Sequence, residues 1–560
     1  MKRFTKTLFI VLVAVAFVAT GCKKESEYKT VTLGAKIAAN NSKVYIDGIT
    51  PIWQTGDQVR VNGTDESHTI TVSQIRGNTA KLENVPQSDD GYYAIYPAEY
   101  ATAFSGGQFA VTLPAFQEYT EVDGHQVVRA PMGAKTDTDG GSLTFHNLCS
   151  LLKVTVTAGE TLKISEIKVT AGTTNLSGST SIPLSEEGTY TLPAPATGSK
   201  SVTLSFGNSG KTLEAGNHVF YIYLPAFTSQ NVSVEVYNID ANDVLGVKKQ
   251  TFGDISVSAN TINTVGTGSL TAASFTTTGA INSLFSVSAD KKVRFSKGNL
   301  QYQASTSTWK FADQQYAFVG NAAGNTAESS RATQADWIDL FGWGTSGNNH
   351  GAIAYQPYAI SDDDAHYYAY SNINLNLYDY GGTADWGSNT IAGTTGTWRT
   401  LNVAEWGYLM DTRTGNQVAH SYMKATINET TNGIIIFPDG YDFGENDATI
   451  LGLISNYDAQ DAAAIWATGT AWERVAKISS ASWTTLQNAG CVFLPAAGVR
   501  SDSYVSDVGT DGQYWSSSAV DASSAAWPSA RFMYFSTRDV SPQSYNQRSF
   551  GQSVRLVQDY

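Results

Sequence analysis

Of the twelve tryptophans in this 560-residue chain, only Trp53 precedes residue 300, and the other eleven fall between Trp309 and Trp527. Large rings need a thick core to hold them, so the chain divides into at least two kinds of structure. Before the divide, apolar residues recur with period two: Val202, Leu204 and Phe206 in one run, Val232, Val234 and Val236 in another, separated by Gly, Asn, Asp and Pro turns. Successive side chains of a strand point to opposite faces, so this pattern predicts antiparallel β-sandwiches over residues 30–272. The stretch Ser269 to Gly279 (SLTAASFTTTG) is small, polar and unpatterned, and reads as a linker. From about residue 280 short strands alternate with amphipathic helices and long aromatic loops, the pattern of an α+β domain. Asn402 and Glu405 form a capping box that starts one helix, with Trp406, Leu409 and Met410 on its apolar face. A second helix runs from about Ser482 to Gly490, which suits a left-handed C-terminal cap.

The N-terminus constrains where the chain works. Lys2, Arg3 and Lys6 precede an apolar run from Leu8 to Ala19, which is too short to span a bilayer that needs roughly 20 residues. Val18-Ala19-Thr20-Gly21-Cys22 resembles the lipobox of bacterial lipoproteins. That resemblance implies a signal peptide over residues 1–21, lipidation at Cys22, a polar tether over residues 22–29, and a lipid-held protein in the outer membrane of a Gram-negative bacterium, displayed at the cell surface. Removal of residues 1–21 takes three basic and no acidic residues, so a net charge of −14 becomes −17. This balance excludes nucleic acid as a partner. With 15% charged residues and 50 glycines, the composition is that of an extracellular β-rich chain. After Cys22 only Cys149 and Cys491 remain, each inside an apolar run, so both are expected as buried free thiols rather than a disulfide frame.

Four segments then carry a family resemblance: Trp53-Gln54-Thr55-Gly56-Asp57-Gln58-Val59, Tyr92-Tyr93-Ala94-Ile95-Tyr96-Pro97-Ala98, Ala130-Pro131-Met132, and Phe145 through Val154. Their order resembles that of fimbrillin-like proteins, the shaft, anchor and tip subunits of fimbriae. The resemblance implies two transthyretin-like β-sandwiches, over residues 30–155 and 156–272. One departure disfavours a shaft subunit, which is released by cleavage after a basic residue near its N-terminus. The first arginine after Cys22 is Arg60, inside an expected strand, and cutting there would remove the Trp53 segment; Lys29, Lys36 and Lys43 remain as alternative sites.

Further landmarks occur in residues 280–560: Val293 to Tyr302, Asp339 to Gly347, Trp398 to Trp406, and an ending made of Gly512 to Ser517, Phe532 to Phe535 and Gly551 to Val557. Together they resemble the C-type-lectin fold, a superfamily that includes formylglycine-generating enzymes and the variable proteins of diversity-generating retroelements. By that resemblance Trp515, Phe532, Phe535, Val554 and Arg555 belong to the frame. Asp521, Ser523, Ser524, Trp527, Arg531, Tyr534, Arg538, Gln543, Tyr545, Gln547 and Arg548 are the candidate ligand-facing positions. Tyr, Trp and Arg suit recognition because they offer large contact area at modest entropic cost.

Catalytic readings fare less well. A formylglycine-generating oxidase needs a pair of reactive cysteines near its end, and only Cys491 is present. No His-Glu-x-x-His or Gly-x-Ser-x-Gly spacing occurs. Asp362, Asp363, Asp364 and His366 offer hard ligands for calcium, but without the loop spacing of a calcium site they read as an exposed acidic turn, so no metal or other cofactor is expected. The sequence therefore points to a non-enzymatic lipoprotein whose lectin-fold domain binds a glycan or protein from a β-sandwich stalk. Two alternatives stand beside it: a fimbrial anchor or tip subunit that binds neighbouring subunits by strand addition, and an enzyme built on the lectin-fold cleft.

Cys22→Ala is expected to leave the chain unlipidated and to move it from the detergent phase to the aqueous phase of a cloud-point extraction. Unchanged partitioning would overturn the lipid anchor.

Overall fold

The computed structural model describes residues 29–38, 53–122, 124–188, 190–229, 231–259, 261–326, 331–347, 355–363, 367–368, 374–379, 382–395, 397–413, 417–456, 465–467, 469–521 and 527–560. The signal peptide, Cys22, the tether up to residue 28 and Lys43 lie outside these residues. The chain forms two compact units, Met1–Thr112 with Arg129–Cys149 and Thr180–Leu192, and Leu113–Val128 with Ser150–Ser179 and Pro193–Tyr560.

In the first unit seven strands close into a ring, in the order Thr30–Ile37, Ser142–Asn147, Met132–Thr136, Tyr92–Tyr96, Gln58–Val61, Thr69–Arg76 and Thr79–Pro86. Thr30–Ile37 closes it, parallel to Ser142–Asn147 and antiparallel to Thr79–Pro86. Alternation puts Leu33, Val59, Leu82, Ala94 and Phe145 inside. Trp53 fills the core between Tyr96 and Phe145, edge-on to both at 5.1 and 5.3 Å between ring centroids. The turn that delivers it is held by Asp57, whose Oδ2 accepts from the Gln54 backbone N–H at 2.8 Å. Gly56 supplies the positive φ of +93° that the turn requires. Arg60 pairs with Thr69 on one side and Ile95 on the other, so it sits within the ring.

The second unit contains a two-sheet sandwich. One sheet orders Gly216–Leu224, Ser150–Ala158 and Ile262–Leu270. The other orders Thr276–Ile281, Val244–Phe252, Val232–Ile239, Leu162–Thr170, Ser201–Ser205 and Phe116–Glu118, with Lys211–Leu213 also on Leu162–Thr170. Val202, Leu204, Val232, Val234 and Val236 are all buried between the sheets, together with Val154, Ile167, Phe220 and Ile222. The segment Leu113–Val128 acts as a strap. Its strand Phe116–Glu118 extends one sheet in parallel with Ser201–Ser205, while two of its glutamines cap the edge of the other. Gln117 Nε2 donates to the Tyr223 carbonyl at 2.8 Å and its Oε1 accepts from the Tyr223 N–H at 3.2 Å; Gln126 does the same for Tyr221, both at 2.8 Å. Each primary amide stands in for a rung of strand, leaving no buried orphan at those positions.

The stretch expected as a linker is instead structural. Ile262–Leu270 reaches into it, a 3-10 turn follows at Ala272–Ser274, and Thr276–Ile281 pairs with Val244–Phe252. Small β-branched residues fit an edge strand as well as a linker, and composition does not separate the two. This strand continues to the C-terminal region through an Ala280–Ser296 bridge. Glu166 pairs there with Arg294, whose guanidinium lies 4.7 Å over the Tyr560 ring.

The C-terminal region holds three main sheets: Phe285–Ser286, Lys292–Phe295, Leu556–Asp559 and Arg399–Thr400; Ala476–Ile478, Tyr422–Ile427, Thr431–Ile436 and Val492–Pro495; and Gly512–Ala519, Ser529–Phe535 and Val540–Gln547. The capping box forms as expected, with Glu405 N–H donating to Asn402 Oδ1 and Asn402 N–H to Glu405 Oε2, both at 2.9 Å. Trp406, Leu409 and Met410 are buried beneath it. The second helix spans Ser480–Asn488, capped by Ser479, and Gly490 follows at φ +82°. Cys149 and Cys491 are buried free thiols.

Asp243 sits where this region meets the sandwich. It is buried, accepts from the Ser283 N–H at 3.3 Å, and burial pushes its carboxyl from 3.8 up to about 7. Because the folded pKa is the higher one, its contribution to stability is fully present below pH 3.8 and is lost as pH rises through 7. Asp243→Asn is expected to match the parent near pH 4 and to exceed it above pH 7 by on the order of 2 kcal/mol in urea unfolding. A difference that does not change with pH would refute this.

Candidate functional site

The sheet of Gly512–Ala519, Ser529–Phe535 and Val540–Gln547 carries the candidate residues. Both faces are packed: Tyr514, Met533 and Phe535 are buried in one core cluster and Trp515, Phe532 and Val554 in another, and Arg555 is buried as well. Indole donors lock the adjoining loop to it. Trp515 Nε1 donates to the Phe341 carbonyl at 2.7 Å and Trp343 Nε1 to the Ser516 carbonyl at 2.8 Å. Gly512 is required by close approach, since a Cβ there would lie 2.0 Å from the Phe535 ring. Such a frame fixes the backbone of the outer strands before any ligand arrives.

Arg531 and Tyr545 face each other across the two outer strands. The Arg531 guanidinium lies 5.6 Å from the Tyr545 ring centroid, and Nη1 donates to the Gln543 carbonyl at 3.0 Å. Tyr545 is 53% exposed and Trp527, just before the middle strand, 64%. Gln543 is exposed and Gln547 half-buried on the edge strand. Tyr534 is half-buried and its hydroxyl donates to Asp511 Oδ2 at 3.0 Å; burial pushes both groups up. Asp521 is exposed at the end of the first strand, and Arg538 is exposed in the turn at the opposite end of the sheet. Ser523 and Ser524 lie outside the described residues.

Arg548 does not belong to this surface. It is fully buried, donates from Nη1 to the Tyr368 carbonyl at 2.7 Å and from Nε to the Ser529 carbonyl at 3.3 Å, and packs 4.5 Å over the Trp343 ring. The chain turns inward after Gln547, so the next side chain points into the core. Arginine was assigned outward because it is seldom buried, and its partners here are backbone carbonyls that no sequence pattern marks.

Two exposed aromatics escaped the sequence reading. Tyr378 is 56% exposed and pinned beside the sheet, because the Leu377 N–H donates to the Ser517 carbonyl and Asn376 Oδ1 accepts from the Ala519 N–H. Tyr504 is exposed on a separate hairpin, Val499–Ser501 with Tyr504–Ser506. Neither lies in a periodic segment, so only the Tyr-rich composition of the loops offered a signal. Ala519 pairs with Ala530 and Ala530 with Asn546, so Tyr378, Trp527 and Tyr545 gather at one end of the sheet.

The surface is therefore one of flat rings, amides and a guanidinium, groups suited to stacking and hydrogen bonding. Cys491 is buried and its thiol is pushed well above the usual range by desolvation. Asp362 and Asp363 are described whereas Asp364 and His366 are not, and among the described residues no three metal-ligating side chains cluster.

Arg548→Met is expected to lower stability by on the order of 3 kcal/mol in urea unfolding, since it strands buried carbonyls. Arg531→Met should cost less than about 1 kcal/mol. Equal losses for the two would contradict the division into frame and surface.

No protein-family model and no curated protein matches the chain. Among solved structures it is similar to a "putative cell adhesion protein" from Bacteroides ovatus ATCC 8483, at 14% identity over 43% of this chain and 92% of that one, with a TM-score of 0.29. It is similar to a second protein of that description from Bacteroides uniformis ATCC 8492, at 15% identity over 44% and 95% of the two chains, with a TM-score of 0.25. A fimbrial protein from Bacteroides ovatus ATCC 8483 is similar over 95% of this chain and 99% of that one, at 10% identity and a TM-score of 0.19. At these identities and TM-scores the likeness assigns neither ligand nor role to this chain.

Proposed function

We propose that this protein is a non-enzymatic adhesin, lipid-anchored at Cys22 in the outer membrane and displayed at the cell surface, whose C-terminal lectin-fold domain binds a glycan or protein ligand from a stalk of two transthyretin-like β-domains. The observation that carries the reading is the exposure of Trp527 and Tyr545 at one end of a sheet that is locked into the core. Large exposed rings on a rigid support are costly to solubility and typical of recognition surfaces. The sandwich of the second unit continues into the display domain through the strand Thr276–Ile281, which bridges to it from Ala280 to Ser296.

A second reading, a fimbrial anchor or tip subunit, draws support from the strand Ile262–Leu270. It pairs only with Ser150–Ala158 among the described residues and so offers a free edge for strand addition.

The test is binding of the full chain to glycan and cell-surface protein panels, beside Trp527→Ala/Arg531→Ala/Tyr545→Ala. Binding that falls at least about tenfold in the folded triple variant supports the adhesin reading. Binding unaffected by the substitutions, or none at all, together with co-purification of fimbrial subunits, would transfer the assignment to the second reading.

A further inference from the structure

Arg531 is a cation held ready rather than spent. Its Nη1 is used on the Gln543 carbonyl and its guanidinium lies 5.6 Å from the Tyr545 ring centroid, which restrains the side chain. Nε–H and the Nη2 amino group have no partner among the described residues, and no carboxylate lies within ion-pair distance. Arg531 is half-buried, and no ion pair neutralises it among the described residues, although the chain carries 50 acidic residues against 36 basic ones. The unspent N–H groups form a planar fork that matches the two oxygens of a carboxylate. Trp527 and Tyr545 add exposed rings at the same end of the sheet, whose electron-rich faces attract the polarised C–H groups of a pyranose. Gln543, exposed beside them, supplies an amide able to donate and accept toward sugar hydroxyls.

Resting on the adhesin reading, we propose that this surface takes an acidic glycan, with the carboxylate of a uronic acid on the Arg531 fork and the sugar ring stacked on Trp527 or Tyr545. The carboxylate sets orientation, and the rings tolerate variation along the rest of the chain. Such a contact is ionic at its centre and weakens as salt rises.

The test uses the full chain with three probes: an oligogalacturonate, the same oligomer fully methyl-esterified, and a polyglutamate of similar charge. The oligogalacturonate is expected to bind, the ester to bind at least about tenfold more weakly, and polyglutamate to bind no better than the ester. Arg531→Gln should weaken oligogalacturonate binding by about tenfold or more with unchanged near-UV circular dichroism. Arg538→Gln, which removes the same charge at the far end of the sheet, should leave it unchanged. Should Arg531→Gln misfold, Tyr545→Leu replaces it and is expected to weaken binding in the same direction. Equal binding of acid and ester, equal loss in Arg531→Gln and Arg538→Gln, or preference for polyglutamate would overturn the acidic-glycan assignment. If the panels show binding that depends on Trp527 and Tyr545 but the oligogalacturonate does not bind, the adhesin reading stands and this inference fails; if nothing binds, both fail.

Discussion

The C-terminal region depends on buried guanidinium groups that donate to backbone carbonyls and a side-chain amide. Arg500 donates to the carbonyls of Leu340, Ala359 and Asp502 at 3.4, 3.1 and 2.9 Å. Arg548 holds Tyr368 and Ser529, and Arg555 reaches Gln315 Oε1 at 2.9 Å. All three are essentially inaccessible to solvent. Desolvation lowers Arg555 to about 9, which still leaves it charged at neutral pH. Burying such a charge costs several kcal/mol, and only multiple charge-assisted bonds offset that cost. The compensation is paid in loop geometry, because a guanidinium presents five donors in a rigid plane and each carbonyl it captures fixes a stretch of backbone. Leu340, Ala359 and Tyr368, which lie outside regular strands, are thereby positioned by side chains from the end of the chain. Gly551 follows from the same constraint: a Cβ there would lie 2.6 Å from Arg500 Nε.

The sandwich of the second unit solves a different problem with the same economy of donors. A strand edge leaves N–H and C=O groups that invite pairing with another chain. The strap satisfies those of Tyr221 and Tyr223 with Gln126 and Gln117, while Tyr119 packs on Phe206 and Phe220 at 4.9 and 5.8 Å. Two amides and one ring thus do what a further strand would do. The opposite edge, Ile262–Leu270, is left open but presents Asn263, Thr264, Gly266, Thr267, Gly268 and Ser269, residues too polar and small to drive indiscriminate association. The two edges are therefore not equivalent, and any strand addition to this sandwich has one side to choose.

How much of this could be read in the sequence follows from the range of the forces involved. Period-two burial of Val232, Val234 and Val236, the capping box at Asn402 and Glu405, the C-terminal cap at Gly490 and the burial of both thiols are local or binary properties, and local pattern suffices for them. The strap was illegible because Gln117 and Gln126 meet their partners about a hundred residues away, and nothing in a surface glutamine announces that its amide will replace a rung of sheet. The misplaced linker has a related origin, since Thr276–Ile281 is a strand only because Val244–Phe252 lies beside it. In the C-terminal sheet Trp527 and Tyr545 are exposed and Arg531 is half-buried, whereas Arg548 lies inward after Gln547. Burial of an arginine is decided by the carbonyls around it, which sequence does not count.

The strongest physical objection to an acidic ligand is the protein's own charge, and magnitudes decide the matter. The chain's net charge of −14 repels any polyanion at long range, yet those charges are spread along the whole chain and are screened beyond about 8 Å at physiological ionic strength. A carboxylate seated on the Arg531 fork lies near 4 Å, where a single opposite charge contributes roughly 4 kcal/mol at the effective dielectric of a protein surface before desolvation is subtracted. Contact therefore outweighs background once the ligand is seated, while the background slows its approach. The combination favours ligands with spaced charges over dense polyanions, because every charge beyond the one on the fork meets repulsion without a partner. An oligomer of uronic acids, with one carboxylate per pyranose, spaces its charges more widely than polyglutamate, and the flanking rings of Trp527 and Tyr545 are placed to bind the sugar faces between them.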